Sequence, residues 1–191
     1  MQKQPSFAQK LVAEFIGTAL LVLIGAGSVT AAGAIDGGSG AKFSFADLGI
    51  ISFAFAFIIM AMVYTIGKVS GCHINPAVTI ALALTGRIDA GSALGYIVAQ
   101  VAGGIVGAFA IVATFGADVS KTLGVGVTSY GTTVSPLQAI VAEAIGTFIL
   151  VFTIYGIAVD SRAPAGWAGL VIGLIVAGII FVVGPVTGAA L

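Results

Sequence analysis

The chain has 191 residues, 59% of them hydrophobic and 7% charged, with a formal net charge of zero and a mean hydropathy of +1.20. A soluble domain covers its surface with about a quarter charged residues, so the solvent for most of this surface is lipid. Sparse, balanced charge offers no basic run for nucleic acid. One cysteine, Cys72, and one histidine, His73, make neither an internal disulfide nor a structural metal site, and no cofactor is expected.

The first apolar stretch runs from about Leu11 to Ala32, behind Lys3 and Lys10. It is longer than the apolar region of a secretory leader and carries Glu14, so it reads as a retained span. Turn formers from Asp36 to Gly40 follow, and then a second stretch from Leu48 to Gly67. Further stretches run from Ala93 to Phe115, Leu137 to Val159 and Trp167 to Gly184, making five spans able to cross a hydrocarbon core of about 30 Å. The remaining connections are Lys68 to Gly71, Gly86 to Gly91, Gly116 to Pro136, and Asp160 to Gly166. Alternating them places Lys3, Lys10, Lys68, Arg87 and Arg162 on one side, with Lys42 and Lys121 on the other. The N-terminus is therefore expected in the cytoplasm of a multi-pass protein of the cell membrane. The pairs Gly103 and Gly107, Gly169 and Gly173, Ala13 and Gly17, and Ala142 and Gly146 are small residues four apart, the spacing that lets helix backbones approach closely in lipid.

The segment after the second span is too short to be another. Asn75 is a favoured N-cap, Pro76 suits the first helical position, and Gly86 can end the helix. About ten residues at 1.5 Å each give about 15 Å, half a crossing, so the segment must enter and leave on one side. Residues 70 to 74 are expected as extended backbone lining a wet cavity, with Asn75 as a donor at the positive inner end of a half-helix. Such a donor suits a neutral polar solute and disfavours a cation.

The motif from Ala13 to Thr18, followed by Leu21 and Val22, returns at Ala142 to Thr147, followed by Leu150 and Val151. Three spans separate the copies, an odd number, so the second starts from the opposite side: an inverted repeat, with a shared site near the midplane. The fold class expected is an all-α membrane bundle, one channel domain over residues 1–191, with a first repeat at about 1–115 and a second, incomplete one at about 137–191. Glu14 and Glu143 occupy equivalent places inside spans, where a charge costs about 2.5 to 3.5 kcal/mol. Each is expected to accept hydrogen bonds from backbone N–H groups of a re-entrant loop. A proton or cation relay is the competing role for them. His73 reads as a histidine packed on loop backbone rather than a pH gate, and Cys72 as a small buried filler. No activated nucleophile, paired carboxylates or phosphate loop is present, so an enzyme would lack its parts.

These residues resemble the major intrinsic protein family, the aquaporins and glycerol facilitators. The likeness lies in Ala-Glu-x-x-Gly-Thr opening both halves, Ser70 through Thr79, and Gly95-Tyr96-x-x-Ala99-Gln100. Ala158 to Pro164 is closest to archaeal-type aquaporins. The resemblance implies a homotetramer with a pore in each protomer, where two half-helices meet at paired Asn-Pro-Ala motifs, the first being Asn75, Pro76 and Ala77. It maps the narrow constriction onto Phe55, Ile180 and Ala189, and pore carbonyls onto Gly71, Cys72, His73, Gly188, Ala189 and Ala190. By the repeat, the second Asn falls directly after Leu191, so the chain reads as C-terminally truncated. Ile180, where water-selective members often carry histidine, implies a less polar constriction that passes water and some glycerol-sized neutral solutes. The function implied is passive conduction of such solutes, excluding ions and protons. A secondary transporter and a non-conducting membrane scaffold are the alternatives from other classes.

Overall fold

A computed structural model describes residues 4–36 and 44–191; Lys3, Lys42 and residues 37–40 of the first connection lie outside the described residues. Its helices are α1 (Phe7–Ile35), α2 (Phe45–Ser70), α3 (Pro76–Leu84), α4 (Ala90–Phe115), α5 (Ala117–Leu123), α6 (Pro136–Val159) and α7 (Ala168–Thr187). Five of them, α1, α2, α4, α6 and α7, have 29, 26, 26, 24 and 20 residues and are long and apolar enough to cross a membrane. Among the described residues there is no strand.

Four of the five spans, α1, α2, α4 and α6, begin at polar caps. Ser6 and Gln9, Ser44 and Asp47, and Ser135 and Gln138 form reciprocal capping boxes at α1, α2 and α6, and Asp89 accepts from the Ser92 N–H at α4. Each cap satisfies N–H groups that the apolar interior cannot. Within α1 and α6 the backbone widens into π-helical turns at Val22–Ala26 and Tyr155–Val159.

Packing follows the small residues. α1 lies on α4 and α2 on α7, with α6 against α7 and α1 against α2. A Cβ at Gly103 would stand 2.2 Å from the Phe15 carbonyl oxygen, and one at Gly173 would stand 2.6 Å from that of Ala56. Glycine is what lets these two helix pairs touch backbone to backbone. The larger buried cluster joins Val78 and Leu82 of α3 to Leu150 of α6 and Ile172, Val176, Ile179, Ile180 and Val183 of α7. Phe57, Phe109, Phe148 and Phe152 are exposed, which suits helices whose outer faces meet lipid.

The connection from Gly116 to Pro136 is more ordered than a turn. It holds α5 and a 3₁₀ turn at Gly124–Gly126. A Cβ at Gly126 would stand 2.4 Å from the Ala26 carbonyl oxygen, so this segment folds back onto the π-turn of α1.

Candidate functional site

The half-helix α3 has nine residues, so it spans about 14 Å, too little for a crossing. Asn75 caps it: Oδ1 accepts from the N–H groups of Ala77 at 2.7 Å and Val78 at 3.2 Å, and Pro76 takes the first turn. Because Oδ1 is committed to the helix, the Asn75 Nδ2 points away from it. It donates to the carbonyl of Leu191 at 3.1 Å. An amide nitrogen carries two hydrogens, so one remains for another acceptor.

Glu14 of α1 is fully buried and collects four donors: Ser70 Oγ at 2.6 Å, the His73 N–H at 3.0 Å, the Ile74 N–H at 2.7 Å and Gln100 Nε2 at 2.8 Å. Glu143 of α6 does the same for the end of α7. It accepts from the hydroxyl of Thr187, the Ala190 N–H at 3.1 Å and the Leu191 N–H at 2.8 Å. The hydroxyls correspond too: Ser70 Oγ accepts from the Cys72 N–H at 3.1 Å, and Thr187 Oγ1 from the Ala189 N–H at 3.3 Å. Three residues beyond each glutamate a glycine seats the loop: a Cβ at Gly17 would stand 2.6 Å from Ile74 Cγ2, and one at Gly146 would stand 2.5 Å from Leu191 Cδ2.

The expectation of extended backbone at residues 70 to 74 is corrected. Ser70 ends α2, and the following residues turn left-handed, with φ of +90° at Gly71, +52° at Cys72 and +41° at Ile74. The second loop repeats them, at +89° for Gly188, +54° for Ala189 and +49° for Leu191. The glutamates explain why. In an extended strand successive N–H groups point to opposite sides, whereas a turn through left-handed residues can aim them into one anion-binding concavity. The left-handed non-glycine residues cost about 1 to 2 kcal/mol each, and the charge-assisted hydrogen bonds to the carboxylates offset that. Among the described residues, no protein donor reaches the carbonyls of Gly71, Cys72, His73, Gly188, Ala189 or Ala190.

His73 is held on both sides, its Nδ1 3.1 Å from Thr79 Oγ1 and its ring 5.0 Å from that of Tyr96, edge to face. Tyr96 donates to the Ser70 carbonyl at 2.8 Å, and Gln100 Nε2 also reaches Thr79 Oγ1 at 3.0 Å. Ser70, Thr79, Tyr96 and Gln100 therefore tie the loop to α3 and α4, a role sequence reasoning did not assign to them. The signal was the polar pair Tyr96 and Gln100, four apart in an apolar span and so on one helix face.

Two cavities approach this region from opposite ends of the bundle. The first, about 260 Å³, is lined by Gly71 to Asn75, by Ile59 and Val63 of α2, by Ile172 and Val176 of α7, and by Arg87. The second, about 520 Å³, is lined by Leu48 and Ile51 of α2, Ile180 and Gly184 of α7, Gly188, and residues 126–129. Phe55 lies on the same stripe of α2 as Ile51 and Ile59, one turn from each, and so at the level between the cavities. Phe55 and Ala189 both pack against the buried cluster that contains Ile180. Cys72 is buried and lines the first cavity. At the surface, in the connection between α6 and α7, Arg162 bridges Asp160 at 2.6 Å and holds its carboxyl below the usual aspartate range.

Residues 1–191 match the family described as Major intrinsic protein. Aquaporin AqpM of Methanothermobacter marburgensis is 41% identical over 196 residues, covering 97% of this chain and 80% of that protein. The probable aquaporin AqpM of Archaeoglobus fulgidus is 42% identical over 196 residues, again covering 97% of this chain and 80% of that protein. In three dimensions the chain resembles the X-ray structure of the aquaglyceroporin from Plasmodium falciparum, with a TM-score of 0.82 over 97% of this chain and 76% of that one. At 24% identity, that likeness speaks for the fold alone.

Proposed function

The chain belongs to the major intrinsic protein family, and from that premise we propose that it conducts water and small neutral solutes such as glycerol passively across the cell membrane, excluding ions and protons. The observation that carries the reading is the pair of carboxylates, fully buried Glu14 and partly buried Glu143, each holding a left-handed loop; among the described residues, the carbonyls of Gly71, Cys72, His73, Gly188, Ala189 and Ala190 are free of protein donors. A solute passing the loops meets acceptors from Gly71, Cys72 and His73 and from Gly188, Ala189 and Ala190, with the spare Asn75 N–H as donor between them. The N-terminus of α3 presents positive partial charge at the same place, which repels cations without opposing a neutral solute.

Phe55, Ile180 and Ala189 form the neck in this reading, Pro76 and Ala77 shape the turn that presents Asn75, and Glu14 and Glu143 support the loops without touching solute. The N-terminus is cytoplasmic and the protomers assemble as a homotetramer, each with its own pore. Two measurements on the reconstituted protein test the proposal. Vesicles placed in an inward glycerol gradient should swell faster with protein than without it, and planar bilayers holding the same protein should carry no current above background. Swelling at the protein-free rate, or ohmic cation current, would sink it.

A further inference from the structure

Between the two cavities, the ring of Phe55 occupies space that belongs to another residue. A Cβ built on Gly25 would stand 2.4 Å from Phe55 Cε1, 2.6 Å from Cδ1 and 2.8 Å from Cζ, where non-bonded carbons need about 3.5 Å or more. Gly25 is buried in the π-turn of α1, and its carbonyl accepts from Ser28 Oγ at 2.6 Å. The backbone at residue 25 is thus tied in place, and the movable partner is the aromatic ring. On α2 that ring also packs against the cluster containing Ile180, so it is held between α1 and the neck.

By sequence register the other repeat carries different residues at these two positions. The register that pairs Glu14 with Glu143 pairs Gly25 with Ile154, and the one that pairs Ser70 with Thr187 pairs Phe55 with Ile172. Ile154 and Ile172 both line the first cavity. Read by that register, one half has two medium side chains where the other has a large one and none, and the Gly25 to Phe55 approach shows that the missing side chain at residue 25 makes room for the ring.

Resting on the channel reading above, we propose that Gly25 is a specificity-determining residue: the recess it leaves in α1 lets the Phe55 ring stand back from the neck, and a side chain there drives the ring into it. The affected solutes are those that fill the neck, small neutral polyols before water. Gly25 acts through Phe55 and is a positioning residue.

The test uses Gly25→Ala, Phe55→Leu, the double variant, and Gly27→Ala as control, since a Cβ at Gly27 would meet Ile111 Cγ1 at an ordinary 3.5 Å. Each is reconstituted at equal protein per vesicle, and glycerol entry and osmotic water flux are read on the same preparation. Gly25→Ala is expected to lower glycerol entry by roughly tenfold, the low end of what a methyl group decides in a tight site, and water flux by less. Phe55→Leu in that background should restore the glycerol-to-water ratio, and Gly27→Ala should leave it at the wild-type value. An unchanged ratio in Gly25→Ala, with Phe55→Leu alone raising glycerol entry, overturns the inference and leaves the neck standing. No response to either variant overturns both together. A loss that Phe55→Leu cannot restore points to a distorted α1 and also overturns the inference, as does a wild type impermeable to glycerol, for which no recess would be needed.

Discussion

The side-chain amide of Asn75 donates to the backbone carbonyl of Leu191 at 3.1 Å, joining the end of the first loop to the end of the second. The two residues belong to opposite repeats, and each is anchored separately, Asn75 by capping α3 and Leu191 by its N–H on Glu143. The contact therefore fixes the spacing of the two loops at the point where a solute would pass between them.

Asn75→Asp separates the two uses of this side chain. Aspartate keeps the acceptor that caps α3, so the helix should survive, but it has no N–H and sets a carboxylate against the Leu191 carbonyl. Water flux should fall severalfold and a cation current should appear in planar bilayers. Unaltered water flux with no current would remove Asn75 from the conduction path.

Glu14→Gln replaces one accepting oxygen by a donor. Four donors then face a group that accepts through one oxygen, and at least one buried N–H or O–H is left unpaired. The loss should be roughly 3 kcal/mol, read as a lower midpoint in thermal unfolding of the detergent-solubilised protein, with water flux reduced in what remains folded. Glu143→Gln should cost less, since its loop end is more exposed. Equal midpoints for wild type and Glu14→Gln would show that the carboxylate does not hold the loop.

Gly17 and Ile74 should be energetically coupled. Gly17→Ala puts a methyl group 2.6 Å from Ile74 Cγ2 and should cost about 1 to 3 kcal/mol by overpacking. Ile74→Ala should be destabilising alone yet relieve Gly17→Ala, giving a coupling energy above about 0.5 kcal/mol in a double-mutant cycle. Strict additivity of the two variants would mean that the glycine does not seat the loop.

The single cysteine offers a chemical probe. Cys72 lines the first cavity beside His73 and Asn75, so mercuric ion entering from that cavity should block water flux, and thiol reductant should restore it. Cys72→Ser should conduct and resist the reagent. Persistent block of Cys72→Ser would place the reactive group elsewhere.

The spans and the half-helix were legible because apolar run length and an Asn-Pro cap are written directly in the residues. Glu14 and Glu143 stood out for the same reason, a carboxylate in an apolar run having few explanations. The partners were harder to read. Ser70, Thr79 and Thr187 are ordinary in membrane helices, where a hydroxyl can bond its own backbone, as that of Thr18 does with Glu14. Left-handed Cys72 and Ile74 carry no residue-level signal, since their geometry is imposed by a carboxylate from another helix. Neither do the π-turns, and α5 is too short to show an apolar period. The recess at Gly25 became visible only with the Phe55 ring beside it.

The most direct test of passive conduction is stopped-flow osmotic shrinkage of vesicles holding the purified protein. Shrinkage should be faster than in protein-free vesicles, proportional to the osmotic gradient without saturation, and indifferent to an imposed proton or sodium gradient. Shrinkage at the protein-free rate, or transport that saturates and follows the ion gradient, would contradict a passive channel.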